Sequence, residues 1–312
     1  MKHTILMKKV IITLGFFLLI RIAFGQQDAL VSKNVFNGLL LNPAYAGSHG
    51  YFSTDLLYRS QWTGFEGAPN TQLIEFDGPL AKETMGVGLV VSHDKIGVTE
   101  QTDFYGSYSY KIKIGANKLA FGLRAGVSNY NAKLSTLTVW DAGDASFNND
   151  IRTYMIPKFG FGMYYYGENF YGGFAIPTLI AYDKDYSFSF NVEKSSFLRR
   201  HYYINGGYVY TINEKMKFRP ALLLKYVPAA PVQADISTAL IYKDMFTFGV
   251  AYRTGAALIG MIEYHTSQRI RIGYAYDFTM SRFRSYSGGT HEITLGYDFG
   301  AGKDKNVSPR YF

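Results

Sequence analysis

The chain has no cysteine, so no disulfide can hold its fold together. Charged residues make up only 18% of its 312 residues, which is low for a soluble domain. Beyond the run Val10–Ile20 near its start, it contains no apolar stretch approaching the roughly 20 residues that a membrane-spanning helix needs. These absences exclude a disulfide-stapled secreted domain and a helical membrane protein.

The first 25 residues have the features of an export signal. A basic start is followed by the short apolar run Val10–Ile20, and small residues follow at Ala23 and Gly25. This order predicts a cleaved signal peptide over residues 1–25 and a mature chain that begins at Gln26. A retained N-terminal anchor is the alternative, and Arg21 is the residue that supports it.

The abundant residues are aromatic residues and glycine, with 27 Tyr, 24 Phe and 32 Gly. An exported chain with this composition and without spanning helices is typical of an outer-membrane β-barrel. The formal net charge of +8 could suggest nucleic-acid binding. Because an exported protein rarely meets nucleic acid, we interpret this charge as belonging to the lumen and the loops, and we expect no nucleic-acid partner.

A strict alternation of apolar and small or polar residues recurs along the chain. In the segment near residues 117–130, Leu119, Phe121 and Leu123 alternate with Gly122 and Arg124. A soluble sandwich would show the same period of two, but here the apolar rows often end in Tyr or Phe. Rings at strand ends fit the headgroup level of a bilayer, so the pattern favours a membrane barrel.

The alternation predicts an all-β fold, a transmembrane antiparallel outer-membrane β-barrel of about 14 strands with a short N-terminal periplasmic helical segment; twelve strands is the alternative count. We expect an N-terminal periplasmic or plug segment over 26–50, the barrel over 51–300 and a periplasmic tail over 301–312. The predicted strands lie near 51–59, 70–78, 84–94, 99–112, 117–130, 154–166, 169–178, 201–212, 216–226, 231–242, 245–253, 257–265, 269–279 and 290–300.

The stretch "NVFNGLLLNPAYAGSHG" precedes the first predicted strand. Its apolar part can form a short helix, which the Asn-Pro step ends because the residue before proline disfavours helical geometry. The small residues that follow allow the backbone to turn tightly into the barrel wall. One interpretation is a cap that seals the rim; the other is a plug or a docking site for a periplasmic partner.

Two motifs resemble a known family. "FNGLLLNPAYAGS" and "RSQWTGFEGAPNTQ" are similar to the N-terminal hallmark and the first loop of the PorP/SprF family of type IX secretion system membrane proteins, found in Bacteroidota. The likeness extends through "FYGGFAIPTL", "GTHEITLGYDF" and the terminal "SPRYF". The residues that carry it are Asn42, Pro43, Ala44, Tyr45, Ala46 and Gly47 in the hallmark, and Trp62, Gly64, Phe65, Gly67, Ala68 and Pro69 in the loop.

The resemblance implies a barrel of the Gram-negative outer membrane that supports secretion or surface attachment of particular cargo, such as adhesins. It implies as partners a secreted cargo protein with a C-terminal sorting domain, outer-membrane lipid, and either periplasmic type IX ring components or a peptidoglycan-associated protein. We interpret the loop from Trp62 to Pro69 as a candidate cargo-contact loop, since Trp and other aromatic side chains dominate interface hot spots. Packing within the loop is the alternative.

Catalytic and metal chemistry find little support. Ser107 or Ser237 could act as a nucleophile with a histidine, but the six histidines are scattered over strand ends without a supporting motif. No set of residues has metal-ligand spacing, and the acidic stretch Asp141–Asp150 fits a solvated outer loop better than a Ca²⁺ site. We therefore expect no enzymatic activity, no metal and no cofactor.

The alternation also places charges of both signs in the barrel interior. We interpret them as an ion-pair network that fills the lumen and stiffens the wall; a channel for an anionic solute, or a lumen that receives a polypeptide, is the alternative. A transport barrel is accordingly the main rival function, and a hydrolase barrel the second. The predicted interior charges are Arg124, Lys158, Arg219, Lys225, Arg253, Arg269, Arg271, Asp235, Glu263, Asp277, Glu292 and Asp298.

Overall fold

The computed structural model describes residues 38–80, 83–137, 149–181, 200–228, 230–266 and 269–299. Fourteen strands form one antiparallel sheet. They are β1 (Phe52–Ser60), β2 (Asn70–Leu80), β3 (Met85–Ile96), β4 (Thr99–Ile114), β5 (Asn117–Ala132), β6 (Ile151–Tyr166), β7 (Phe170–Ala181), β8 (Tyr202–Tyr208 and Tyr210–Asn213), β9 (Met216–Tyr226), β10 (Gln233–Tyr242), β11 (Phe246–Arg253), β12 (Ala257–His265), β13 (Ile270–Thr279) and β14 (Thr290–Phe299).

The sheet closes on itself. Each strand pairs with its sequence neighbours, and β14 pairs with β1 from Phe52↔Phe299 to Ser60↔His291. Strand β8 counts as one strand because both of its segments, interrupted at Val209, pair with β9. Closure leaves no free sheet edge, as a bilayer requires. The predicted fold and the count of fourteen are confirmed.

Helices are short. The helix α1 (Gly38–Leu41) and a 3-10 helix (Pro43–Tyr45) precede β1, and two further 3-10 helices lie in connections, at Leu134–Thr136 and Arg282–Tyr286. Within the described ranges, no helix is both long and apolar enough to cross a membrane.

The two faces of the wall differ as the alternation predicts. On β5, the side chain of Leu123 is 63% exposed on the outer face, whereas its neighbour Arg124 is 3% exposed on the inner face. The exposed rows of the other strands are likewise apolar and aromatic, so the outer face presents a hydrocarbon-compatible belt. Inward positions hold mostly small, polar and charged residues, with buried apolar side chains such as those of Leu57 and Leu73 among them.

The connections orient the barrel. At the rim where β1 begins and β14 ends, several strands are joined by tight turns, such as those at 115–116 and 214–215. The opposite rim carries the longer connections, among them 61–69, 133–150 and 280–289. Because outer-membrane barrels have short periplasmic turns and longer extracellular loops, we call the first the periplasmic rim and the second the extracellular rim.

Candidate functional site: a plugged lumen and an ordered outer loop

Residues Gly38–Gly50, which we call the plug, run inside the barrel. Five inward glycines of four wall strands line their path, and a Cβ added at any of them would collide with a plug atom or need it to shift. At Gly122 the Cβ would enter the backbone of Pro43 and Ala44, and at Gly88 it would meet Leu39. We call this set, Gly86, Gly88, Gly122, Gly162 and Gly173, the glycine cradle.

Asn42 fastens the plug to the wall and shapes its backbone. Its Oδ1 accepts a hydrogen bond from the Ala44 N–H at 2.9 Å, which caps the 3-10 helix. Its Nδ2 donates to the carbonyl of Met163 on β6 at 2.9 Å and to that of Phe174 on β7 at 3.4 Å. One buried amide therefore both caps a turn and joins two strands to the plug.

The other hallmark residues have packing roles. Pro43 opens the 3-10 helix, where the absence of an N–H costs nothing. Ala44 and Ala46 are completely buried, and the ring of Tyr45 packs edge-on against Tyr164 at a centroid distance of 5.5 Å. Gly47 adopts a left-handed φ of 63° where the plug meets the backbone of β2.

Wall side chains bind the plug backbone directly. Lys111 Nζ donates to the Gly47 carbonyl at 2.5 Å, and Ser109 Oγ donates to the Ala46 carbonyl at 2.7 Å. Asp77 Oδ2 accepts from the Gly47 N–H at 2.6 Å. The plug turns between these three contacts, so both donors and acceptors of its backbone are satisfied inside the lumen.

Arg124 supplies a further anchor. Its guanidinium donates to the carbonyls of Leu39 and, at 2.9 Å, of Leu40, at the end of the plug that holds α1. Unpaired carbonyls at a helix end need such a partner when they are buried. Arg124 was predicted to face the lumen, and it does so as a ligand of the plug; Asp77, Ser109 and Lys111 were missed.

The wall opposite the cradle carries an ion cluster near the extracellular rim. Arg59 on β1 pairs with Asp277 at 2.9 Å and with Glu292 at 3.1 Å. Arg253 on β11 pairs with Asp235 at 2.9 Å and approaches Asp277 at 3.6 Å. Asp277 joins the two pairs, so five strands are bridged by one buried network.

A second cluster lies near the periplasmic rim. Arg271 pairs with Asp55 at 2.8 Å and with Asp298 at 3.3 Å, which links β13, β1 and β14. On β12, Glu263 contacts His265 at 2.7 Å. Among the predicted interior charges, the structure thus brings Arg253 and Asp277 together near one rim and places Arg271 and Glu263 near the other.

Arg269 is a correction to the predicted interior set. It lies in the turn before β13, is exposed, and has a left-handed φ of 71°. The period of two was extended one step beyond the start of the strand, where the turn reverses the chain and the alternation no longer assigns a face.

The described part of the lumen is filled. Arg219 is 1% exposed and Lys225 2%, although both are long cations on the inner face of β9. Plug residue Leu39 belongs to a buried apolar cluster with wall residues of β1, β2 and β6, and Leu41 packs with Tyr203 and Leu223 of the adjacent strands β8 and β9. A water-filled channel would leave such charges accessible to solvent, and here they are not.

The loop from Trp62 to Pro69, called loop 1 below, is ordered by backbone hydrogen bonds. Thr63 exchanges two with the β13–β14 connection: its N–H donates to Gly289 at 2.8 Å and its carbonyl accepts from Gly288 at 2.7 Å. The Gly67 carbonyl accepts from the Gly97 N–H of the β3–β4 turn at 2.9 Å. Loop 1 is therefore fixed to both of its neighbours on the extracellular rim.

The residue types of loop 1 follow from its shape. Gly64 and Gly67 have left-handed φ values of 91° and 73°, which favour glycine. Trp62 is half-buried, whereas the ring of Phe65 is 44% exposed. Ala68 is half-buried and Pro69 buried at the start of β2. Fixed backbone and one exposed ring give the loop a preformed apolar contact point.

The residues considered for catalysis occupy wall positions. Ser107 accepts from Arg124 on the inner face, and Ser237 donates to the carbonyl of Ala221 on the adjacent strand. His93 contacts Thr102, and His291 contacts Tyr274 on the outer face. Within the described residues, no group of three potential ligands is close enough to hold a metal ion. Most of the acidic stretch Asp141–Asp150 lies outside those residues, as do the predicted signal peptide and tail.

A closed sheet with an apolar outer belt and a polar, filled interior defines an outer-membrane β-barrel. The chain belongs to the PorP/SprF family, type IX secretion system membrane proteins, whose model matches residues 23–297. The suspected family and an outer-membrane location in type IX secretion are thereby confirmed.

Several solved outer-membrane proteins are similar to the chain at low sequence identity. Omp33 of Acinetobacter baumannii is 9% identical, with a TM-score of 0.46, covering 80% of this chain and 100% of its own. A FadL homologue of Pseudomonas aeruginosa is 11% identical, with a TM-score of 0.46; the match covers 83% of this chain and 93% of the homologue. The toluene transporter TbuX of Ralstonia pickettii is 10% identical, with a TM-score of 0.47; the match covers 82% of this chain and 91% of the transporter. No curated protein matches the chain.

Proposed function

We propose that this barrel holds particular secreted cargo proteins, of adhesin type and bearing a C-terminal sorting domain, at the cell surface, and that it has no enzymatic activity. Loop 1 carries the proposal: it presents the exposed ring of Phe65 on a backbone fixed by hydrogen bonds to both neighbouring connections. A contact point that is already ordered loses little conformational entropy when a partner binds. On the opposite side of the membrane, a periplasmic ring component or a peptidoglycan-associated protein is the proposed second partner.

The filled lumen supports anchoring over the rival transport function. A solute pathway needs a continuous space for water or ligand through the lumen, whereas the plug and the ion clusters occupy the described interior. Cargo would then be held from outside rather than passed through this barrel.

Deleting the gene tests the proposal as a whole. We expect one or a few large proteins to disappear from the surface of intact cells, measured by protease shaving and quantitative mass spectrometry, while other surface proteins remain. An unchanged surface proteome with altered solute uptake would contradict the anchoring role and favour the transport barrel.

Replacing Phe65 by serine tests the contact point. We expect about a thirtyfold loss of surface-held cargo at unchanged barrel abundance, because a central aromatic side chain typically contributes about 2 kcal/mol to an interface. Val232→Ser is the matched control, since Val232 is also exposed on the extracellular rim but lies before β10, away from loop 1. Equal losses in both variants, or none in either, would exclude loop 1 as the contact.

A conductance measurement tests closure of the lumen. In planar bilayers we expect the wild-type barrel to give no stable current steps, because charged side chains such as Arg219 are inaccessible to water. A variant lacking Gly38–Gly50 is expected to give them, since the glycine cradle would then face empty space. Porin-like steps from the wild-type barrel, recorded beside an open porin as positive control, would contradict closure.

A further inference from the structure

The connection between β13 and β14 folds onto the lipid-facing side of the wall. The guanidinium of Arg284 lies 4.7 Å from the ring centroid of Phe278, a residue of the outward row of β13. The hydroxyl of Tyr276, in the same row, donates to the carbonyl of Gly288 at 2.9 Å. Two separate contacts thus place this connection against the outer face at its extracellular end.

The surroundings of Arg284 resemble a headgroup interface. Tyr286, in the same 3-10 helix, is 71% exposed, and His291 at the start of β14 contacts the Tyr274 hydroxyl through Nδ1 at 2.7 Å. The ring of His291 also lies 5.1 Å from that of Tyr276. Amphipathic rings at a strand end mark the depth where hydrocarbon gives way to polar headgroups.

Among the described residues, no acidic side chain neutralises the charge of Arg284. Within the described residues its guanidinium contacts the Phe278 ring, and no carboxylate forms an ion pair with it. The planar guanidinium stacks on a ring and still offers a fork of N–H donors, which suits the oxygens of a phosphate. At the extracellular rim, the anions at this depth are the phosphates of outer-leaflet lipid.

We infer that Arg284, positioned by Phe278, binds a phosphate group of an anionic lipid in the outer leaflet. The contact with the Phe278 ring holds the guanidinium at a fixed depth beside the barrel, and the phosphate supplies the negative charge that pairs with it. The site depends on the orientation of the barrel in the membrane and is independent of the proposed cargo function. It would tie the β13–β14 connection, and through Gly288 and Gly289 also loop 1, to the lipid surface.

Native mass spectrometry of the full chain, released from nanodiscs containing diphosphorylated lipid A, tests this site. We expect the wild-type barrel to retain the lipid and R284E to retain roughly five- to tenfold less, because a charge-assisted contact is replaced by repulsion. K215E is the matched control: it makes the same charge change in an exposed turn of the periplasmic rim and should retain lipid as the wild type does.

Two further measurements identify the ligand and distinguish loss of the site from misfolding. A dephosphorylated lipid with the same acyl chains should bind no better to the wild type than lipid A binds to R284E. F278A keeps the charge but removes the ring below it, and a two- to threefold loss is expected. Equal retention by all variants, an equal loss in K215E, or displacement of the lipid by inorganic phosphate would overturn the assignment.

Discussion

Replacing Gly122 by alanine is expected to lower the free energy of unfolding by about 3 kcal/mol, the upper end of what overpacking a tight site typically costs. The added Cβ would enter the backbone of Pro43 and Ala44, and neither plug nor wall has a flexible side chain there that can yield. The plug must shift or leave. Urea unfolding in detergent, followed by tryptophan fluorescence, measures the loss, and current steps in a planar bilayer report displacement of the plug.

Gly106→Ala is the matched control on the adjacent strand. Gly106 faces outward, and its Cβ would meet only the carbonyl of Ala125, at 3.8 Å. We expect a change within about 0.5 kcal/mol and no current, as for most surface substitutions. If Gly122→Ala changed neither the free energy of unfolding nor the current, or if the two substitutions had equal effects, packing of the plug would not require glycine at this position of the cradle.

The barrel could be predicted from the sequence because its determinants are local. Each strand alternates apolar with small or polar residues, and this pattern repeats often enough to give the strand count and boundaries within three residues. The irregularities of the sheet could not be predicted from this pattern. The ladder between β6 and β7 shifts between Phe159 and Phe161, and β8 is interrupted at Val209, because both features depend on neighbouring strands rather than on a residue's own segment.

The position of the plug inside the barrel could not be predicted, because the wall residues that it contacts are distant in sequence. Asn42 binds carbonyls 121 and 132 residues further along the chain, and no periodicity connects it to them. The alternation assigned Gly122 to the inner face of its strand, but it did not indicate that the space beside it holds another segment. A signal did exist: Gly86 and Gly88 on β3 and Gly122 on β5 are inward residues of the two strands that flank β4, where a filled lumen needs larger side chains unless something else occupies it.

The sequence predicts that charges of both signs face the lumen, but it does not predict which of them form pairs. Arg124 was assigned to the interior correctly, yet its guanidinium donates to two plug carbonyls and to Ser107 instead of forming a carboxylate ion pair like those of Arg59 and Arg253. Arg59, the centre of the extracellular cluster, was missed, although it occupies an inward position of the first strand. Pairing across a closed barrel depends on register and shear, which the alternation of one strand does not contain.

Replacing Arg59 by methionine is expected to destabilise the barrel by about 3–5 kcal/mol, because it removes the positive charge that pairs directly with two buried carboxylates. Glu292 would lose its ion pair at 3.1 Å and Asp277 its ion pair at 2.9 Å, while the longer contact of Asp277 with Arg253, at 3.6 Å, would remain. Methionine retains much of the volume, so the loss would report charge rather than a cavity. Urea unfolding in the same detergent gives the value.

Two comparisons separate this effect from a general loss of charge. Lys95→Ala breaks the Lys95–Glu100 pair, whose lysine side chain is 57% exposed, and should cost less than about 1 kcal/mol. Arg59→Met combined with Glu292→Met should be less destabilising than Arg59→Met alone, since the second change removes a buried carboxylate that has lost its ion pair with Arg59. If the double variant instead shows the sum of the two single losses, the residues act independently and the cluster is not a coupled network.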